Sequence, residues 1–542
     1  MKNKIAQILL GGLVLAAPVT AQAKEASVWI KCDGYNKAQS GGGGGLGLGG
    51  LLLGRLAANK LPFQPGNQAD GVTGVEACNE ALNSPELDKL DWTRRTSLLK
   101  AKAIHSLEAL HYSEALTDIE AARATALGKD ASVFYTRSTG LALDLLQSYT
   151  LLLLNKDSDA ARYARQVAQA RPYSPQIQGL ALFIMTYDPS SADQTIKIAE
   201  HVNRLDPELG AIRLSILMTA KRYREAAELF TQEFGPKSDW VVQSDTLVDL
   251  DQLSRASIAA YVMARAGRQS EASAILVASR TRIAKAEKLK MRQFPALALA
   301  VLDPDVNKAR SKISETLEKW EPMVTAASLF VAGDPLKAQD ALIAKDSYPA
   351  NDLFLGMIED LRAAIPVEKR KALVAADPTA LREKISGNRA ERLKKITNND
   401  LFNLLPQAED EEKLNSFSSQ AGFGLKSTGF KSKILPDGAT LIEFVGTISS
   451  SQAIAEMVLL RAATLAEDAK KPAFVIEKNS NYTRFSQTTY NGTPIGARRF
   501  AGYKSELTVR FVDDLATPRA IVNEEVVSAL KPIYVRANSS KK

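Results

Sequence analysis

Few side chains in this 542-residue chain are placed to do polar chemistry, and they are scattered. There are three histidines, His105, His111 and His201. His105 and His111 are six residues apart, a spacing that does not share one helix face. A zinc site needs three or four converging ligands, so packing or surface roles are expected for all three, with no metal. No G-x-S-x-G elbow, phosphate-binding P-loop or H-E-x-x-H pair occurs. Gly41 to Gly45 run unbroken. They follow no clear strand and lack the spaced, helix-opening glycines of a dinucleotide fold. Carboxylates are plentiful, but no spacing sets two across a cleft. A non-enzymatic protein without a cofactor is expected, and an enzyme built on the C-terminal region is the weakest alternative.

Arg461 stands out as a charge midway along an apolar helical stretch. It is expected to pair with a carboxylate such as Glu443 or to bind an anion. Tyr482, Arg484, Arg498 and Arg499 fall where a loop between two strands is expected, as a recognition surface or a solvated hairpin. Cys32 and Cys78 are the two cysteines. In an exported chain an even count points to one disulfide. It would enclose the glycine-rich segment and contribute roughly 4 kcal/mol on the chain-entropy model; two unpaired thiols are the alternative.

Export is read from the first residues. Lys2 and Lys4 are followed by the apolar run Ile8 to Ala17 and the small-x-small site Ala21-Gln22-Ala23. That pattern predicts a signal peptide over 1–23, cleaved between Ala23 and Lys24. The run is shorter than the ~20 apolar residues a spanning helix needs, and no later stretch is long and apolar enough. A periplasmic or secreted product is expected, with no transmembrane helix after cleavage. The net charge is +8. The densest basic stretch, Arg382 to Lys395, is broken by Glu383 and Glu391 and reads as a solvated helix face. No nucleic-acid partner is expected.

Those side chains need elements to position them. The composition is 6% aromatic with abundant Ala and Leu, which favours helices. Residues 24–91 are expected to be irregular, with a short strand at Ser27–Lys31 and a Gly/Leu-rich loop. A flexible exposed loop is expected over Gly41 to Gly54; a membrane or partner contact is the alternative, because small residues allow close approach. From 92 to 397 the pattern is helical. Small residues recur twelve apart: Ala103 and Ala115, Ala260 and Ala272, Ala326 and Ala338. Period 3.6 gives each helix one apolar face, which requires pairing and stacking.

These residues resemble the tetratricopeptide repeat (TPR) family. Ala103, Tyr112, Ala115 and Ala122 fill the motif's small and aromatic places, and Tyr223, Ala226 and Phe230 repeat its second half. Gly267 to Ala272 and Gly333 to Ala338 look like two further turns, while Arg171-Pro172 and Asp206-Pro207 look like unit-ending prolines. Leu214 and Glu233 stand where small residues are expected, so the units are degenerate. The resemblance implies a TPR-like α-solenoid whose inner side grips a peptide or protein through Tyr and Arg; an irregular helical bundle is the alternative fold.

Residues 398–433 read as a linker, and 434–542 as a small α+β domain. Its expected strands are Thr440–Val445, Ala473–Glu477 and Leu507–Phe511, with helices over Ser450–Glu467 and Ile521–Leu530. Leu459-Leu460-Arg461-Ala462-Ala463-Thr464-Leu465, followed by Ala473-Phe474-Val475-Ile476, is similar to a family of proteobacterial envelope domains with an L-L-R-A-A-E-L helix. Thr464 replaces that family's acidic residue. The resemblance implies a Gram-negative envelope address and no activity. The expected function is a scaffold binding a protein or peptide; a structural envelope factor working through Gly41–Gly54 is the alternative.

Overall fold

A computed structural model describes residues 27–35, 68–87, 92–129, 131–207, 210–233, 250–293, 304–344, 348–349, 351–393, 401–402, 404–405, 414–420, 427–490 and 493–535. The signal segment, its Ala23/Lys24 cleavage site and Gly41–Gly54 lie outside the described residues.

The chain opens on two helices, α1 (Val28–Asp33) and α2 (Gly71–Leu82). The strand expected at Ser27–Lys31 is helical instead: the Ser27 hydroxyl accepts the Ile30 N–H at the helix start. Cys32 and Cys78 form a disulfide between α1 and α2.

Helix pairs follow: α3 (Trp92–Glu108) with α4 (Tyr112–Ala126), then α5 (Leu141–Leu153) with α6 (Asp157–Ala170). After them come α7 (Pro175–Met185), α8 (Ala192–Leu205), α9 (Gly210–Thr219) and α10 (Tyr223–Glu233). The series continues through α11 (Leu250–Arg265), α12 (Gln269–Gln293), α13 (Pro304–Val331) and α14 (Pro335–Ile343). Neighbours in sequence pack on one another along much of this series. Two more helices, α15 (Asp352–Ala364) and α16 (Thr379–Leu393), complete the helical region.

One helix-to-helix turn recurs five times among the described residues of the helical region. Leu110, Asn155, Lys221, Gly267 and Gly333 all have left-handed φ, between 57° and 84°. The next residue's N–H (His111, Lys156, Arg222, Arg268, Asp334) donates to the carbonyl five residues back, at 2.8–3.0 Å. This is the Schellman closure, which satisfies the last carbonyls of the first helix. Four residues later comes Ala115, Ala160, Ala226, Ala272 or Ala338, all buried. Ala103, Ala122, Ala260 and Ala326 are buried as well, as are Tyr223 and Phe230, while Tyr112 is partly buried. The α5–α6 turn was not anticipated. Twelve residues before Ala160 stands Ser148, whose hydroxyl donates to the Ala160 carbonyl at 2.6 Å, so a small polar residue takes the alanine's place.

The C-terminal sheet has the order β1-β2-β4-β3-β5, antiparallel throughout. Its strands are β1 (Gly429–Ile434), β2 (Thr440–Gly446), β3 (Ala473–Tyr490), β4 (Thr493–Val512) and β5 (Ile521–Val522). Helices α17 (Ser451–Asp468) and α18 (Asn523–Tyr534) cover one face. Three expectations are corrected. The stretch read as a linker contributes β1, whose mostly exposed pattern carries little apolar signal. The last helix begins two residues late, because Ile521 and Val522 pair with Phe474 and Ala473. The loop expected around Tyr482, Arg484, Arg498 and Arg499 is strand, a long β3–β4 ribbon whose Thr, Tyr and Phe residues suit a pleated backbone.

Candidate functional site

The most concentrated charge chemistry lies where the helical region meets the C-terminal domain. Helix α17 starts at Ser450, whose hydroxyl accepts the Ala453 N–H at 3.1 Å. The preceding loop is drawn together by Asn415, whose Oδ1 accepts the N–H groups of Thr447, Ile448 and Ser449 at 3.0–3.2 Å. One and a half turns into the helix sits Glu456, fully buried. Its neighbours Ile454, Ala455, Met457 and Val458 are buried too, so the carboxylate has no water to turn to and must be met by protein donors.

Those donors come from far away in sequence. Arg171 Nε and Nη2 donate to the two carboxylate oxygens at 2.9 and 3.1 Å, a bidentate pair with both side chains excluded from solvent. Arg137 Nη2 donates to Oε2 at 2.8 Å, and the Tyr534 hydroxyl from α18 donates to the same oxygen. Arg171 is itself anchored, its Nη1 donating to the Arg137 carbonyl at 2.9 Å. Burial pushes the Glu456 carboxyl up, but Arg171, Arg137 and the Tyr534 hydroxyl outweigh that and hold it below the usual carboxylate value. With its oxygens met by these donors and water excluded, the carboxylate holds two parts of the chain together. Around it, Tyr173 and Leu205 of the helical region enter the α+β core. Gln452 Nε2 donates to the Leu404 carbonyl at 2.8 Å, and Asn479 Nδ2 to the Leu205 carbonyl at 3.3 Å.

A second junction joins the disulfide-linked helices to α3. His105 is buried, with Nε2 2.6 Å from the Cys32 carbonyl and its ring against Phe402. Burial lowers its pKa, against the opposing pull of that carbonyl and of Asp33 and Asp70. Asp33 is paired with Arg94, whose guanidinium lies over the Trp29 ring at 5.4 Å. Gly74 of α2 makes the approach possible: a Cβ there would sit 2.2 Å from His105 Nδ1. His201 likewise serves packing, with Nε2 2.9 Å from the Pro172 carbonyl and its ring edge-on to Tyr173. His111 occupies the turn before α4. Among the described residues no group of three or more His, Cys, Asp or Glu side chains could hold a metal.

The surface expected to grip a peptide is taken, in part, by the chain itself. Arg265 of α11 lies over the rings of Tyr223 and Phe330, at 4.6 and 5.3 Å, and donates to Asp360 of α15 at 2.6 Å. Lys221 donates to the same carboxylate at 2.5 Å, and the Tyr261 hydroxyl to the Leu353 carbonyl at 3.4 Å. Phe354, Met357, Ile358 and Leu361 of α15 are all buried. These Tyr and Arg side chains therefore face the protein's own helix and are not exposed anchors.

Arg461 does not meet Glu443, and the nearby carboxylate that acts on it is Asp468. Glu443 pairs with Lys431 and Lys504, at 2.8 and 3.3 Å, and the Arg461 guanidinium lies over the Phe430 ring at 4.3 Å. Phe430 belongs to β1, the strand the sequence hides, and burial lowers the Arg461 pKa. Glu456 was within reach of sequence reasoning. It is a carboxylate in a helix that is apolar on every side, five residues before Arg461, and such a charge needs buried partners. Arg171, read only as the residue before a terminating proline, offered no such signal. No helix among the described residues is long and apolar enough to cross a membrane. No family model, curated protein or solved structure matches the chain.

Proposed function

We propose that the protein is an exported, non-enzymatic TPR-like scaffold that binds a protein or peptide partner. The observation that carries this reading is the fivefold reuse of one turn geometry, each copy setting a buried alanine four residues on. Repeated helix pairs built this way offer extended surfaces and little convergent chemistry. Export is supported by the N-terminal pattern of Lys2, Lys4 and Ala21-Gln22-Ala23 and by the Cys32–Cys78 disulfide.

Because α15 covers Tyr261 and Arg265, the partner-reading surface lies on the second helices of the pairs. An anchor there is Tyr163 of α6, half-buried, with Arg162 at 4.3 Å and Arg123 at 5.6 Å over its ring. Arg and Tyr are the side chains that dominate binding energy at interfaces. Crosslinking pull-down from periplasm tests the reading. Wild-type protein should enrich a partner that Tyr163→Ala and Arg162→Ala variants lose at least tenfold. Absence of any enriched protein, or equal capture by the variants, counts against it.

A further inference from the structure

Strands β3 and β4 outrun the rest of the sheet. Strand β2 ends at Gly446, opposite Tyr503, and β5 reaches only Ala473 and Phe474. From Arg484 to Tyr490 and from Thr493 to Gly502 the two strands pair only with each other among the described residues. The seven residues of β3 from Arg484 to Tyr490, at ~3.3 Å each, make a ribbon of roughly 23 Å. The base permits this departure because Gly502 has φ +106° and a Cβ there would lie 2.0 Å from the Gly446 carbonyl oxygen. A two-stranded ribbon is marginal in water without a surface to lie on.

The ribbon's composition says what that surface is. Between Glu477 and Glu506 the chain has Lys478, Arg484, Arg498, Arg499 and Lys504 and no carboxylate. Lys504, at the base, is engaged by Glu443 and Glu506. Arg484 Nη1 is buried without a hydrogen-bond partner. Tyr482 and Phe485 are 43% and 50% exposed, and alternation along a strand sends them to opposite faces. Phe485 meets Phe500 edge-on at 6.2 Å, and Phe500 meets Tyr503 at 5.0 Å.

We propose that this ribbon docks on an anionic phospholipid surface, resting at headgroup depth. Cations without carboxylates suit a negatively charged leaflet, and Tyr and Phe beside Arg suit the membrane–water interface. Phe485, half exposed on the ribbon, and Tyr482, exposed at its base, put rings beside the cations at the depth where such a surface would meet them. Two outer edges without a strand partner among the described residues keep the ribbon out of the hydrocarbon, where every backbone group must be paired internally. The proposal is independent of the partner reading above.

Full-length mature protein is sedimented with vesicles of phosphatidylcholine alone or with phosphatidylglycerol added, at low and high salt. Binding is expected only to the anionic vesicles and should fall with salt. An Arg484→Gln/Arg498→Gln/Arg499→Gln variant should lose about fivefold in partitioning per cation removed. A Phe485→Trp variant, read as a difference against the four native tryptophans, should shift its emission to the blue on anionic vesicles. Equal binding to neutral vesicles, no binding to anionic ones, or an unmoved emission each overturns the proposal. Capture of an acidic protein without vesicle binding overturns it too.

Discussion

Replacing Glu456 by Gln changes two oxygens to an oxygen and an amide while keeping the side chain's shape. The electrostatic change is larger than the steric one. Arg171, fully buried, loses the carboxylate it meets through two nitrogens, and Arg137 loses the same charge. Breaking one partner of a buried ion pair costs about 3–5 kcal/mol, because the surviving charge stays desolvated. Glu456→Gln should therefore lower the unfolding free energy by about that much, measured by denaturant titration, with hydrogen exchange on α17 locating the weakened part. Glu456 carries a second signature in pH. Its folded pKa lies below the ordinary value of 4.5 despite burial, held there by Arg171, Arg137 and Tyr534. As pH falls below 4.5 the unfolded chain takes the proton first, so the stabilisation is full above that value and shrinks through the folded pKa. The gap between wild type and Glu456→Gln should close over that range, and adding Arg171→Met to the variant should restore part of the loss. A loss under about 1 kcal/mol, or a gap independent of pH, would refute the view of this cluster as the tie between the helical region and the α+β domain.

Four further outcomes are expected. Ala115→Leu and Ala160→Leu should each overpack a helix pair and cost ~1–3 kcal/mol in thermal or denaturant unfolding, with Ala160 as sensitive as Ala115. Gly74→Ala should cost at least as much, since its Cβ meets a His105 ring already set between the Cys32 carbonyl and Phe402; stability unchanged in that variant would show the α2–α3 contact to be loose. Leu110→Gly should be stabilising by up to ~1 kcal/mol, because a left-handed φ strains any L-side chain and the gain is only partly offset in the unfolded state. Burial lowers the folded pKa of both His105 and His201 below 6.5. The unfolded chain is protonated first, so stability should be full above pH 6.5 and decline below it, a slope that His105→Asn/His201→Asn should flatten.

How much of this was legible in the chain depends on how local each feature is. The spacing of Ala103 with Ala115, and of Ala326 with Ala338, reports helix pairing within about thirty residues. Ser148 with Ala160 has the same spacing and went unread because its first member is polar. The turns at Gly267 and Gly333 announce themselves by glycine, whereas Leu110, Asn155 and Lys221 adopt the same left-handed conformation with side chains that do not advertise it. Strand β1 escaped notice because four of its six residues are exposed, leaving no alternation to detect. The β3–β4 ribbon escaped notice because polar Thr, Ser and Gln outnumber the rings.

The two junctions are a different matter. Helical period, caps and the disulfide partners all follow from residues near one another or from simple counting, so the chain alone specifies them. That Arg171 and Arg137 close on Glu456, about 285 and 319 residues further on, is decided only when the helical region and the α+β domain pack. The same holds for α15 lying on Tyr261 and Arg265, and for Arg461 turning to Phe430 instead of Glu443. Charge and burial demand that each such group find a partner; only the folded arrangement brings one particular partner within hydrogen-bond distance and excludes the rest.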